Sequence, residues 1–156
     1  MHGLALLLGH LVGDYLFQRD WEAKLKTVQH PDTPRPADHE CSGDWIPVGI
    51  TPEMQAQRDW DNQALEARMA PGACSLHCLQ YTLAVFLFCF WFLPWWAYPV
   101  VFLTHWPIDR YRLARKLMLY NGQKEFATGV FAPWSVILVD NILHLIVLFI
   151  LGLFGT

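Results

Sequence analysis

Four runs of apolar residues mark the chain: Met1 to Phe17, Cys74 to Leu93, Trp95 to Trp106 and Trp134 to Phe154. A helix needs about 20 apolar residues to cross a bilayer core, so the second and fourth runs qualify and the first and third are marginal. The first has no basic start and carries His10 and Asp14 inside its apolar run, which separates it from a secretory signal. The third follows Pro94, meets Pro99 and Pro107, and continues as an amphipathic stretch through Leu113 and Leu117, so it is expected to enter a membrane kinked or only in part.

A polar insertion, Arg19 to Ala73, separates the first two runs. Its first half holds Pro31, Pro34, Pro36, Gly43, Pro47 and Gly49 and reads as loop. Its second half predicts a helix over Thr51 to Ala70, with Thr51 as N-cap, Pro52 in the first helical position and Pro71-Gly72 as terminator. The pattern predicts an all-α membrane helical bundle of about four helices. Residues 1–156 form a single membrane domain, with 19–73 a polar cytoplasmic insertion between the first two helices.

Composition agrees with that class. Of 156 residues, 54% are hydrophobic and 16% charged, where a soluble domain carries roughly 25% charged residues. The net charge of -3 leaves no basic stripe for nucleic acid, which is excluded as a partner. Cys41, Cys74, Cys78 and Cys89 are expected to be reduced. Cys74 and Cys78 flank His77, but so short a cluster on one helix cannot close a tetrahedral zinc site by itself.

The cations set an orientation. Arg19, Lys24, Lys26 and Arg68 lie in the insertion, Arg110, Arg112, Arg115, Lys116 and Lys124 lie between the last two runs, and the Pro94 turn and both termini have none. By the positive-inside rule the insertion and residues 110–133 are cytoplasmic and both termini face the other side of a bacterial inner membrane, crossed several times. The short first and third runs make oligomerisation or local thinning of the bilayer an expected accommodation. Trp95, Trp96, Trp106 and Trp134 fit an interfacial aromatic belt.

Ionisable residues at membrane depth are costly and mark function. His10 and Asp14, His105 and Asp109, and Asp140 and His144 are each four residues apart, so each pair shares a helix face with Cβ atoms about 5 to 6 Å apart. His77 joins them from the second run. In the assigned orientation all seven lie at the cytoplasmic end. Seven nitrogen and oxygen donors suit one or two divalent ions, zinc, manganese or iron(II), held by inward-facing side chains of a helical bundle. His105, Asp109 and Asp140 are the candidates for catalysis. Gln18, Tyr81 and Asn141 are candidates to support the ligands by hydrogen bonds, and Arg110 and Arg112 to grip a phosphate. The basic run containing them is also suited to anionic lipid.

The blocks GHLVGDYLFQRDW from Gly9, HCLQYT from His77, THWPIDRYRLAR from Thr104 and DNILHL from Asp140 resemble a family of uncharacterised small membrane proteins of bacteria and their phages, a domain of unknown function. The likeness covers the apolar helices and not the insertion, and the family carries no activity to transfer. It is distantly similar, at fold level, to membrane-bound metal-dependent hydrolases with intramembrane His and Asp motifs. The sequence expectation is a metal-dependent hydrolase acting on a phosphate ester or lipid headgroup. Two alternatives stand beside it: a non-enzymatic, phage-type membrane protein with a structural metal or polar site that binds a host partner, and a proton or divalent-metal transporter.

Overall fold

The computed structural model describes residues 2–36 and 52–155, and seven α-helices account for most of them, with no strand among the described residues. Helix α1 (His2–Leu11) runs on into one π turn, Val12–Leu16, closed by the bond from the Phe17 amide to the Val12 carbonyl at 3.2 Å. Then come α2 (Asp20–Leu25), α3 (Pro52–Cys89), α4 (Ala97–Arg110), α5 (Leu113–Tyr120), α6 (Lys124–Thr128) and α7 (Ala132–Gly152). Helices α1, α3, α4 and α7 contain the four apolar runs. Three short helices, α2, α5 and α6, lie between them along the chain.

Three sequence expectations change. First, Pro71-Gly72 does not end a helix: α3 continues through it for 38 residues, about 57 Å at 1.5 Å per residue. Pro71 lacks the amide that would bond Ala67, but it and Gly72 lie on the exposed side, while Ala64, Ala67, Ala70, Ala73, Cys74, His77 and Cys78 form a buried stripe past them. The Ser75 hydroxyl also donates to the Pro71 carbonyl at 2.8 Å. Second, the third apolar run does not continue unbroken to Leu117. Arg112 adopts the left-handed conformation (φ 50°, ψ 50°), which stops α4 and starts α5 in a new direction. Third, the loop-like first half of the insertion opens with α2, whose first turn is tied by the Arg19 amide donating to Glu22 Oε2 at 3.0 Å. Thr51, Cys41, Gly43, Pro47 and Gly49 lie outside the described residues.

The four longer helices close a ring in which α3 packs on α1 and α4, and α7 packs on the same two. Their core holds Leu6, Tyr81, Val85, Phe92, Val101 and Leu148. At one end His2 stacks on Phe92 with ring centroids 4.2 Å apart, and Trp96 meets Phe154 edge-on at 5.8 Å. The start of α1, the end of α3, the start of α4 and the end of α7 therefore share that end, and the polar residues gather at the opposite one. Gly9 and Gly13 set the approach of α1 to α3. A Cβ on Gly9 would lie 3.1 Å from the Val85 Cα, and one on Gly13 would lie 2.7 Å from the Tyr81 ring. That four-residue spacing of small residues lets two backbones meet.

Helices α3 and α7 are long and apolar enough to cross a membrane, while α1 and α4 have 10 and 14 residues. The outward faces are apolar: Leu76, Leu79, Leu83 and Leu87 on α3, and Leu138, Ile142, Ile146 and Phe149 on α7, are all exposed.

Candidate metal centre

The polar end of the ring brings together donors from four helical segments. The π turn supplies Asp14, α3 supplies His77, α4 supplies His105 and Asp109, and α7 supplies His144. His77 Nε2 lies 3.3 Å from Asp14 Oδ1, 3.2 Å from Asp109 Oδ2 and 3.1 Å from His105 Nε2. His105 Nε2 lies 3.2 Å from Asp109 Oδ2 and 3.7 Å from Asp14 Oδ1. A tetrahedral zinc with ligands at 2.0–2.2 Å has donor-to-donor edges of about 3.3 to 3.6 Å. The ligand atoms of Asp14, His77 and His105 thus lie within 4.8 Å of one another, a first trio close to the spacing of one coordination sphere.

A second trio shares His105 with the first. The ligand atoms of His105, Asp109 and His144 lie within 4.8 Å of one another, and His144 Nε2 is 3.7 Å from Asp109 Oδ1. His144 donates its other nitrogen to the Asp140 carbonyl at 3.0 Å, leaving Nε2 buried without a hydrogen-bond partner. An orphaned polar atom of this kind costs about 1 to 3 kcal/mol, and a cation at this position would offset it. The buried His/Asp groups can therefore hold a metal ion.

Two sequence-predicted ligands stand apart from these trios. His10 is fully buried, but Tyr81 Oη and Asn141 Oδ1 take its two nitrogens at 2.9 and 2.8 Å, and Asp14 Oδ2 lies 3.4 Å from the first. It braces the π turn from behind. Asp140 approaches only His144, at 3.5 Å, and otherwise faces a cavity. Tyr81 and Asn141 thus support His10. Gln18 lines the cavity with its buried Nε2 unpaired. Gln80 donates to Glu22 at 3.2 Å and turns away from the centre. Cys74 and Cys78 are buried free thiols, Cys74 lying against the Trp106 carbonyl.

The centre opens onto a cavity of about 700 Å³ lined by Asp14, Asp109 and Asp140 together with Lys26, Arg112 and Arg115. Arg110 is not brought into it. Its guanidinium donates to the Val28 carbonyl at 2.7 Å, and its own carbonyl accepts from Gln29. Arg112 lines the cavity and donates to Thr27 Oγ1 at 2.7 Å. Residues 26–29 thereby form a strap fastened across the end of α4.

Sequence reasoning missed two residues. Lys26, treated as a topology marker, places Nζ 2.7 Å from Asp109 Oδ2. Burial works to lower the Lys26 ammonium, but the Asp109 carboxylate outweighs it, and the lysine is raised above its ordinary value. No local rule signals a contact across 83 positions. Glu22 is fully buried under Gln80; an acid three residues beyond a helix start was its available signal.

The fold and centre define an all-helical protein with two helices of membrane-spanning length and a buried His/Asp cluster suited to a metal ion. Comparison with known proteins gives no matching family model, no matching curated protein and no matching solved structure.

Proposed function

We propose that the chain is a membrane-embedded, metal-dependent hydrolase acting on a phosphate ester at the cytoplasmic face, built as a four-helix membrane bundle with residues 19–73 as a cytoplasmic insertion. The observation that carries this is the pair of donor trios, Asp14 with His77 and His105, and His105 with Asp109 and His144, beside a cavity that Lys26, Arg112 and Arg115 also line. Bound there, a divalent ion would supply acidity to water and offset charge developing on a phosphoryl oxygen. His144 extends the donor set toward a second ion, and zinc, manganese and iron(II) all accept it. Lys26 and Arg112 are placed to hold an anion, the part that Arg110 is too occupied to play.

The exposed apolar faces of α3 and α7 support burial in lipid, and the cations of the insertion and of α5 cluster at the centre's end, which supports a cytoplasmic setting with both termini on the other side. Kinship with the uncharacterised small membrane proteins is part of the same proposal. It rests on the blocks around Gly9, His77, Thr104 and Asp140.

One observation favours a second function. Lys26 already neutralises Asp109, as a purely structural polar network would require. Metal content of the detergent-purified protein separates the two, followed by assay of metal-dependent release from a panel of phosphate esters. A metal-free protein after zinc, manganese and iron(II) are supplied would favour the structural network. The transporter alternative is disfavoured by the far end of the ring, closed by His2 on Phe92 and Trp96 on Phe154.

A further inference from the structure

The cavity beside the centre has a side opening as well as a polar lining. Helix α1 packs against both α3 and α7, but the backbone of the π turn after it lies close to α3 and not to α7, which it meets through side chains. The ring of helices therefore parts between Val12–Leu16 and α7. One lip carries Tyr15 and Leu16, 56% and 72% exposed, and the other carries Ile137 and Trp134, 42% and 75% exposed. Trp134, Ile137 and Asn141 succeed one another at spacings of three and four on α7, so they share a stripe. The link across the gap is the Asn141 side-chain amide donating to the Tyr15 hydroxyl.

Inside the opening the lining divides by chemistry. Lys26, Arg112 and Arg115 lie at the polar end of the ring, while Ala127, Ala132, Val136 and Ile137 make an apolar wall along α6 and α7. That wall passes without interruption into the exposed apolar face of α7 at Ile137 and Leu138. A soluble phosphate ester would have no use for it.

Resting on the hydrolase function, we propose that the occupant is a phosphate-headed membrane lipid of the cytoplasmic leaflet, which enters sideways between the π turn and α7. Its head lies among Lys26, Arg112 and Arg115 beside Asp14 and Asp109. Its first chain carbons lie on Val136 and Ile137, and the rest of the chains remain in the bilayer, since about 700 Å³ is room for a headgroup and little more. Tyr15 and Asn141 form the latch of the side opening.

The test is native mass spectrometry of the full-length protein, with metal supplied and without, using three probes: long-chain phosphatidic acid, diacylglycerol with the same chains, and glycerol 3-phosphate. The expected order of retention is phosphatidic acid first, with glycerol 3-phosphate at least about tenfold weaker, because even two buried methylenes are worth that factor, and diacylglycerol weaker because it lacks the phosphate that the cations would hold. Val136→Trp, which fills the chain wall, should remove the advantage of phosphatidic acid over glycerol 3-phosphate. Ile137→Asn, at the exposed lip where folding is least at risk, should weaken phosphatidic acid alone. Metal content in each variant should match wild type, which shows that the centre has folded. Equal retention of glycerol 3-phosphate and phosphatidic acid, or an undiminished chain preference in both variants, would overturn the lipid assignment. Absence of metal from wild type would instead overturn the hydrolase function, and the chain preference would be read separately.

Discussion

Asp109→Asn is the substitution that most sharply separates a metal centre from a buried polar network. The carboxylate faces Lys26 Nζ at 2.7 Å, His77 and His105 at 3.2 Å, and His144 at 3.7 Å, with its own side chain 2% exposed. At an effective dielectric of 20, a unit charge pair at that first distance has a gross attraction of about 6 kcal/mol. Removing one partner of such a buried pair costs roughly 3 to 5 kcal/mol net, because the other charge is stranded. Asp109→Asn should therefore lower thermal stability in detergent even if no metal ever binds, so stability alone does not discriminate. The added substitution Lys26→Met removes the stranded charge, and in the double variant stability should return to within about 1 kcal/mol of wild type. Metal should not return. Residues that merely support ligands cost about 10- to 100-fold in affinity when changed, so loss of a ligand oxygen should exceed 100-fold by chelator competition. Full metal retention in Asp109→Asn, or recovery of metal in the double variant, would refute the ligand role.

His105→Ala should abolish metal binding and turnover together, since His105 belongs to both donor trios, whereas Arg110→Ala should keep metal and release the 26–29 strap, read as faster proteolysis within residues 26–36 after loss of the bond to Val28. Gly13→Ala would press a methyl to 2.7 Å from the Tyr81 ring, so it should destabilise by about 1 to 3 kcal/mol and weaken metal by moving Asp14; wild-type stability would contradict the close approach of α1 to α3. A reporter inserted between residues 19 and 73 should score cytoplasmic and one fused at Thr156 should score outside, and a translocated insertion would remove the basis for a cytoplasmic site.

Helical spacing made much of the centre legible, while the partners that each pair takes across the fold were not. The four-residue pairs led to His105 with Asp109, and those two do share a face and a cluster. The same rule joined His10 with Asp14, and those two also meet, at 3.4 Å, while each takes further partners that the rule does not give: Asp14 reaches His77 and His105, and His10 reaches Tyr81 and Asn141. The π turn, which inserts one residue into the ladder after His10, was not expected. The local cue was Gly9 and Gly13, small residues that bring this segment onto α3.

The misplaced end of the insertion helix has an energetic origin. Proline inside a helix costs about 3 kcal/mol, which makes Pro71-Gly72 a reasonable terminator when only neighbours in sequence are weighed. The penalty falls on the exposed side of α3, where a bend outward is tolerated and Gly72 meets open space. On the other side, the stripe from Ala64 through Ala70, Cys74 and His77 to Tyr81 stays buried and in register across the proline. Breaking α3 at Pro71 would uncouple the half that holds residues 29–35, through Trp60, Asp61 and Gln63, from the half that presents His77, and with it the far end of the strap that carries Lys26 to Asp109. A continuous α3 thus mechanically joins the insertion to the centre, so the polar segment that looked like a separable appendage supplies one wall of the site.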